Sequence, residues 1–279
     1  MKLTILVDNN TFIDEYLIGE PGVSYYIECD ELKILFDVGY SDVFIKNAQL
    51  LSIDLTSIDK IVFSHGHNDH TWGLNHLIQY YDRTIKKNKR KIDIIAHPAA
   101  LIPKYFEAKP IGMNHRQDEK EYFFKIVSTI EPLKMSEHIT FLGQIPRVNK
   151  FEAQKSVGHT CGVNGKLTDD FVLDDSALVI ETEKGLIIIT GCSHAGICNI
   201  IEYAKKVTGV SQINSVIGGF HLMNADSKLL DETGKYLKSL SAKALYPCHC
   251  TDLTAKIHLS RYVDIKEVGV GLSVDFPVR

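Results

Sequence analysis

The sequence predicts a layered α/β fold, and three observations carry that prediction. Short β-branched runs alternate with segments of helical period along most of the chain. Gly, Asn and Asp punctuate the boundaries between them. With 44% hydrophobic and 24% charged residues over 279 positions, the composition is that of a globular protein with a substantial core. One large domain, or one built from two similar halves, is expected for this length.

In the first half, strands are read at Leu3–Val7, Val23–Cys29, Leu32–Asp37 and Lys60–Ser64, with a helix over Asp42–Leu51. A His-rich turn follows, then a helix over Gly73–Asp82 and a strand over Ile92–Ala96. His97-Pro98 opens a further helix, because proline is pre-organised for a first helical turn. Between Lys104 and Asp174 the pattern weakens at Pro110, Gly112, the charged run Arg116–Glu121, Pro132 and Pro146, so this stretch is read as an insertion able to cap a site. Order returns in Ala177–Glu183 and Leu186–Thr190, two apolar runs flanking a Lys184-Gly185 turn, which predicts a β-hairpin. A helix at Gly196–Val207, a strand at Asn214–Gly218, a helix at Lys228–Leu240 and a strand at Ala244–Tyr246 complete the series.

The net charge of −4 gives the chain as a whole no basic excess for binding phosphate backbones, so a small molecule rather than a nucleic acid is the expected substrate. The amino-terminal apolar run meets Asp8 at once, too short for the core of a signal peptide, and no apolar stretch approaches the roughly 20 residues of a membrane span. A cytoplasmic protein without a membrane partner is therefore expected. Six cysteines in a chain of this length do not suggest a disulfide framework, and Cys192, Cys198, Cys248 and Cys250 lie close to histidines, which suggests metal or thiol chemistry.

Chemistry concentrates in Ile61-Val62-Phe63-Ser64-His65-Gly66-His67-Asn68-Asp69-His70, a buried-type strand running into three histidines and an aspartate. His65 and His67 alternate and can point the same way from extended backbone, while Asp69 and His70 begin the next helix and can face a second position. Imidazoles and a carboxylate suit zinc, iron or manganese, and such a set can hold two ions about 3.5–4 Å apart. A solvated polar turn is the alternative, but it does not explain so dense a group of histidines.

This turn supplies only part of two coordination shells, so the remaining ligands are sought at other strand ends. His194, in Thr190-Gly191-Cys192-Ser193-His194, is read as a ligand, and Cys192 as either a ligand or a small buried hydrophobe. His249, in Pro247-Cys248-His249-Cys250, is read as a ligand, with Cys248 and Cys250 as packing residues nearby. His221 follows Gly218-Gly219-Phe220 and is a candidate for metal, for substrate or for a structural role. Arg147 can clamp an anionic group or form an ordinary salt bridge, and His159 can reach a site from the insertion or remain a loop residue. His97 is expected to pack or cap a helix, and His76, His115, His138 and His258 to be surface or structural residues.

The His-x-His-x-Asp-His turn after a strand resembles the metallo-β-lactamase superfamily. Ser64–His70, His97-Pro98, Gly143–Arg147, Phe151-Glu152, Asp174–Leu178, Thr190–Gly196, Gly218–Leu222 and Pro247–Thr251 together resemble one branch, the 7,8-dihydropterin-6-yl-methyl-4-(β-D-ribofuranosyl)aminobenzene 5′-phosphate synthase-like proteins. The resemblance implies an αββα sandwich of two mixed β-sheets with helices on the outer faces. It also implies a single domain over residues 1–279, with the insertion at about 104–174, and a metal centre at one edge of the sheets. Two positions depart from the pattern: Cys192 stands where the superfamily usually has a metal-bridging Asp, and Asp252 replaces a glycine that usually follows the last ligand.

On this reading His65, His67 and His194 hold one divalent ion and Asp69, His70 and His249 a second, with zinc expected first and manganese or iron as alternatives. Asp69 also orients the attacking water. A hydrolase using a metal-activated water on a small phosphorylated or pterin-related substrate is the leading expectation. A transferase condensing a pterin diphosphate with a ribofuranosylaminobenzene phosphate is the main variant. An iron-dependent redox protein and a binding module without turnover are the readings from other classes.

Overall fold

The computed structural model describes residues 1–85, 91–113, 122–161 and 165–278. His115 and the Arg116–Glu121 run lie outside them. The strands in chain order are β1 (Lys2–Val7), β2 (Ser24–Cys29), β3 (Leu32–Phe36), β4 (Lys60–Val62), β5 (Ile92–Ala96), β6 (Lys104–Phe106), β7 (Lys109–Pro110) and β8 (Phe124–Ser128). They continue with β9 (Leu133–Lys134), β10 (Ile139–Phe141), β11 (His159–Cys161), β12 (Leu167–Asp169), β13 (Ala177–Thr182), β14 (Gly185–Thr190), β15 (Ile213–Gly219), β16 (Ala244–Cys248) and β17 (Ser273–Asp275).

Two mixed sheets form the centre, one in the order β17-β1-β2-β3-β4-β5-β8 and the other β16-β15-β14-β13-β10-β9. Inner strands such as β1, β2, β14 and β15 are buried on both faces, which is why the sequence shows apolar runs there where a half-exposed strand would alternate with polar residues. Alternation survives in where each side chain goes. Leu3, Ile5, Ile34 and Phe36 meet Ile187, Ile189, Leu178 and Ile180 between the sheets. Leu6 and Leu35 face outward and pack with Phe44 and Ala48 of the helix Val43–Leu50 and Leu74, Leu77 and Tyr81 of the helix Gly73–Thr84. Leu186 and Ile188 face the opposite way, with Ile200, Ile201, Leu230 and Leu237 of the helices Ile197–Thr208 and Ser227–Ser239. Helix, sheet, sheet, helix is the expected αββα sandwich.

The hairpin β13–β14 forms in register, Ala177 opposite Thr190 and Thr182 opposite Gly185. His97 opens a short 3₁₀ helix, Pro98–Leu101, as its N-cap, accepting from the Ala99 amide at 3.1 Å. Residues 104–174 do not behave as one block. β8 joins the first sheet and β9 and β10 the second, whereas β12-β11-β6-β7 form a separate four-stranded sheet.

That small sheet reaches the central fold through a buried lysine. Lys104 is 1% exposed, and its Nζ lies 2.8 Å from Asp170 Oδ2 and 2.7 Å from Asp174 Oδ1, two carboxylates buried with it. Asp174 also accepts from the Gly66 amide at 2.8 Å, which ties the ion pairs to the His-rich turn. Asp252, where the family pattern has glycine, caps the helix Leu253–Leu259 by accepting from Ala255 N at 2.7 Å.

Candidate metal centre

The backbone first brings the polar residues to one edge. β3 and β4 run parallel, as do β14, β15 and β16, so the segments leaving their carboxyl ends emerge together. Asp37 follows β3, His65 follows β4, Cys192 and His194 follow β14, His221 follows β15, and His249 and Cys250 follow β16. Asp37, Ser193, His221 and His249 adopt positive φ (56°, 62°, 51° and 49°), a conformation that costs non-glycine residues about 1–2 kcal/mol each. Glycine is required beside them: a Cβ on Gly191 would lie 2.1 Å from Ser64 Oγ. Gly66 likewise lets the turn pass Ala100, whose carbonyl oxygen would be 2.3 Å from an added Cβ.

Two groups of side chains converge there. Potential ligand atoms of His65, His67 and His194 lie within 4.8 Å of one another, as do those of Asp69, His70 and His249. His65 Nε2 and His67 Nδ1 approach to 2.9 Å. A tetrahedral ion with nitrogens about 2.0–2.1 Å away would separate its ligands by about 3.3 Å, close to the spacing of this pair. Both ring nitrogens of His194 and Nε2 of His67 are buried without a hydrogen-bond partner. Such orphaned imidazole nitrogens are costly in a fold that does not use them, and their chemistry fits a divalent metal.

Outer partners set which nitrogen faces inward. His65 Nδ1 meets Ser64 Oγ at 2.9 Å, His70 Nδ1 meets Asp37 Oδ2 at 2.7 Å, and His249 Nδ1 meets Asn9 Oδ1 at 2.9 Å. Each contact occupies Nδ1 and leaves Nε2 for the site, the usual means of fixing tautomer and ring orientation in a metal ligand. Asp37 in turn accepts from Ser64 N at 2.8 Å and Ser64 Oγ at 2.7 Å. Asp8, at the end of β1, accepts from the His249 amide at 2.9 Å.

Electrostatics separate the histidines. Burial holds His65 and His194 well below the usual imidazole range and lowers His67 to about 4, so all three are neutral near pH 7 and free to donate to a metal. Burial also pushes His70 down, but Asp69 and Asp37 outweigh it and raise it to about 9. Burial disfavours the Asp69 anion, yet His70 and His249 overcome that and hold the carboxyl below its ordinary range. Asp69 Oδ2 lies 3.4 Å from His249 Nε2 and 3.7 Å from His70 Nε2.

A cavity of about 590 Å³ opens over these groups. His221 lines it beside His194, their ring centroids 4.2 Å apart, but it belongs to neither ligand group. Cys192 lies 3.2 Å from His70 Nε2 and also lines the cavity. Of the two cysteines read as packing residues, Cys248 is one, buried between the sheets 3.2 Å from Tyr25 Oη, whereas Cys250 turns toward the cavity.

Arg147 and His159 are not brought to this cavity. The Arg147 guanidinium donates to the carbonyls of Ala153, Phe171 and Val172, and it lines a second cavity of about 560 Å³ with Lys104, Asp170 and Asp174. It is therefore engaged with loop backbone away from the converging histidines. His159 is exposed on β11, 3.6 Å from Asp169. His138 pairs with Asp30 at 2.8 Å and His258 with Asp231 at 2.7 Å, as expected of structural histidines.

Asp8, Asn9, Asp37 and Ser64 are the supporting residues that the sequence reading passed over. Asp8 and Asp37 each stand directly after a buried apolar strand, a placement that could have marked them.

The chain is similar to known proteins along most of its length. Residues 17–150 match the family model described as the metallo-beta-lactamase superfamily. The chain is 33% identical over 269 residues to the 7,8-dihydropterin-6-methyl-4-(beta-D-ribofuranosyl)-aminobenzene-5'-phosphate synthase of Methanocaldococcus jannaschii, covering 92% of this chain and 89% of that protein. It is 35% identical over 262 residues to an uncharacterized protein of the same organism, covering 93% and 94%. A crystal structure of a metal-dependent hydrolase of the beta-lactamase superfamily superposes with a TM-score of 0.82 at 29% identity, covering 99% of each chain.

Proposed function

The chain belongs to the metallo-β-lactamase superfamily, and from that premise we propose that it is a metal-dependent hydrolase of a small phosphorylated or pterin-related substrate, working at a two-ion centre. The observation that carries this reading is the pair of three-residue groups beneath one cavity, with three ring nitrogens of His67 and His194 buried and unpartnered. His65, His67 and His194 would hold one ion, and Asp69, His70 and His249 the other. Zinc is the proposed metal, with manganese or iron as alternatives. Bound there, the ions would supply Lewis acidity toward the substrate and toward the attacking water.

The remaining work falls to the chain's own residues. Asp69, kept anionic by His70 and His249 against the effect of burial, can orient the attacking water. His221 is exposed at the cavity, and although burial lowers its pKa, Cys250 and Asp175 raise it on balance, which suits contact with an anionic group. Phe106, Ile111 and Val157, all from residues 104–174, line the same cavity as Tyr40 and Met223. They are proposed to cap the site and to give a flat ring an apolar surface. Tyr40 is braced for this by Trp72, stacked at 5.2 Å.

A second reading is transfer of a pterin-methyl group to an arylamine, favoured by the synthase relative at 33% identity. One experiment separates the two: incubate the zinc-loaded protein with a pterin-methyl diphosphate, with and without a ribofuranosylaminobenzene phosphate, and analyse the products by mass spectrometry. Water-derived product in both mixtures supports hydrolysis, and a carbon–nitrogen adduct formed only with the amine supports transfer. Unchanged substrate in both, and no turnover of a panel of phosphate esters, would refute the proposal.

A further inference from the structure

A second pair of donors stands at the site, and neither is nitrogen. Cys192 Sγ, Cys250 Sγ and a ring nitrogen of His249 lie within 4.8 Å of one another, and Cys192 Sγ also groups with His65 and His70. Of the six cysteines, these two line the cavity over the histidines. Cys250 is held there by backbone: its sulfur accepts from the His221 amide at 3.3 Å and donates to the Cys192 carbonyl at 3.3 Å. Gly219 leaves room for it, since a Cβ there would sit 2.5 Å from the sulfur. A thiol placed only for packing needs none of this, and Cys248, two residues earlier, shows the contrast by turning into the core against Tyr25.

We propose that Cys250, together with Cys192 and His249, makes the second metal position a mixed nitrogen–thiolate site that selects a thiophilic ion. This rests on the two-ion reading above and extends it. Each thiol releases its proton to solvent on binding, and the electron pair left on sulfur forms the bond to the metal. Cys250 then gives up its bond to the Cys192 carbonyl and keeps the one from the His221 amide. Soft thiolates added to this position favour zinc, cadmium or cobalt(II) over manganese or magnesium, whose preference is for oxygen ligands.

The test is cobalt(II) substitution of the whole chain, read by absorption and by cobalt content. The wild type is expected to show thiolate-to-cobalt charge transfer in the near ultraviolet. Cys250→Ser is expected to lower that band about twofold, Cys192→Ser to do the same, and the double variant to abolish it. Circular dichroism of each variant checks the fold, and protection of Cys250 from iodoacetamide by cobalt in the wild type needs no variant. A band unchanged in folded Cys250→Ser, or Cys250 alkylated equally with and without cobalt, would overturn the proposal. Bound cobalt without any thiolate band would overturn it while leaving the metalloenzyme reading intact, and no bound cobalt would overturn both.

Discussion

Replacing Asp37 by Asn tests whether the outer partners set metal affinity. The carboxylate accepts three hydrogen bonds in a fully buried position, from Ser64 N, Ser64 Oγ and His70 Nδ1, at 2.7–2.8 Å. An amide keeps the shape but turns one of its two acceptor oxygens into a donor. If its oxygen keeps the Ser64 amide, the serine hydroxyl can rotate and accept, but His70 Nδ1 then faces an N–H. The imidazole must move its proton to Nε2, the nitrogen that faces the site, and a protonated nitrogen cannot ligate a metal. Loss of such an outer partner typically costs 10–100-fold in metal affinity, or about 1.4–2.8 kcal/mol. Loss of stability without metal should be smaller, about 1 kcal/mol, because most of the hydrogen bonds re-form. Competition with a chromophoric chelator measures zinc affinity, and urea unfolding in EDTA measures stability. Zinc affinity within threefold of wild type at the weaker site would refute the tautomer argument.

In metal-free protein, His70 is raised to about 9 by Asp69 and Asp37 against the effect of burial, so its contribution to stability is complete below about pH 6.5 and is lost as pH rises through about 9. The stability gap between wild type and His70→Gln, from urea unfolding in EDTA, should therefore narrow between pH 6 and pH 9.5, and a widening gap would contradict the assignment. His194→Leu removes two buried unpartnered nitrogens, so without metal it should be neutral or more stable by up to about 1–3 kcal/mol while losing metal. A large loss of metal-free stability would show that His194 is structural. Lys104→Met leaves the buried carboxylates of Asp170 and Asp174 unpaired and should cost about 3–5 kcal/mol in chemical denaturation. A change below about 1 kcal/mol would mean that these ion pairs do not hold the small sheet to the fold.

What the sequence made legible follows from burial and from distance along the chain. β1 to β5 and β13 to β16 were readable because sheets covered on both faces require apolar runs, and the hairpin around Gly185 because its turn is local. The strands of the small sheet are two or three residues long and largely exposed, so no alternation marks them. β8 and β10 lie within a stretch broken by Pro132 and Pro146, and their place in the central sheets depends on partners the sequence does not name. At the site, the converging histidines were visible because they cluster at strand ends. Their supports were not, since Asp37 lies 33 residues from His70 and Asp8 lies 241 from His249. The backbone contacts of Arg147 were not legible either, since its carbonyl partners at Phe171 and Val172 lie 24 and 25 residues away.

Two metal ions are proposed to bind at the converging histidines, and elemental analysis of the purified wild type, His67→Ala and His249→Ala reads their number. About two equivalents of zinc, manganese or iron are expected in the wild type and about one in each variant, with all three folded. No bound metal in the wild type, or a content unchanged by both substitutions, would contradict it.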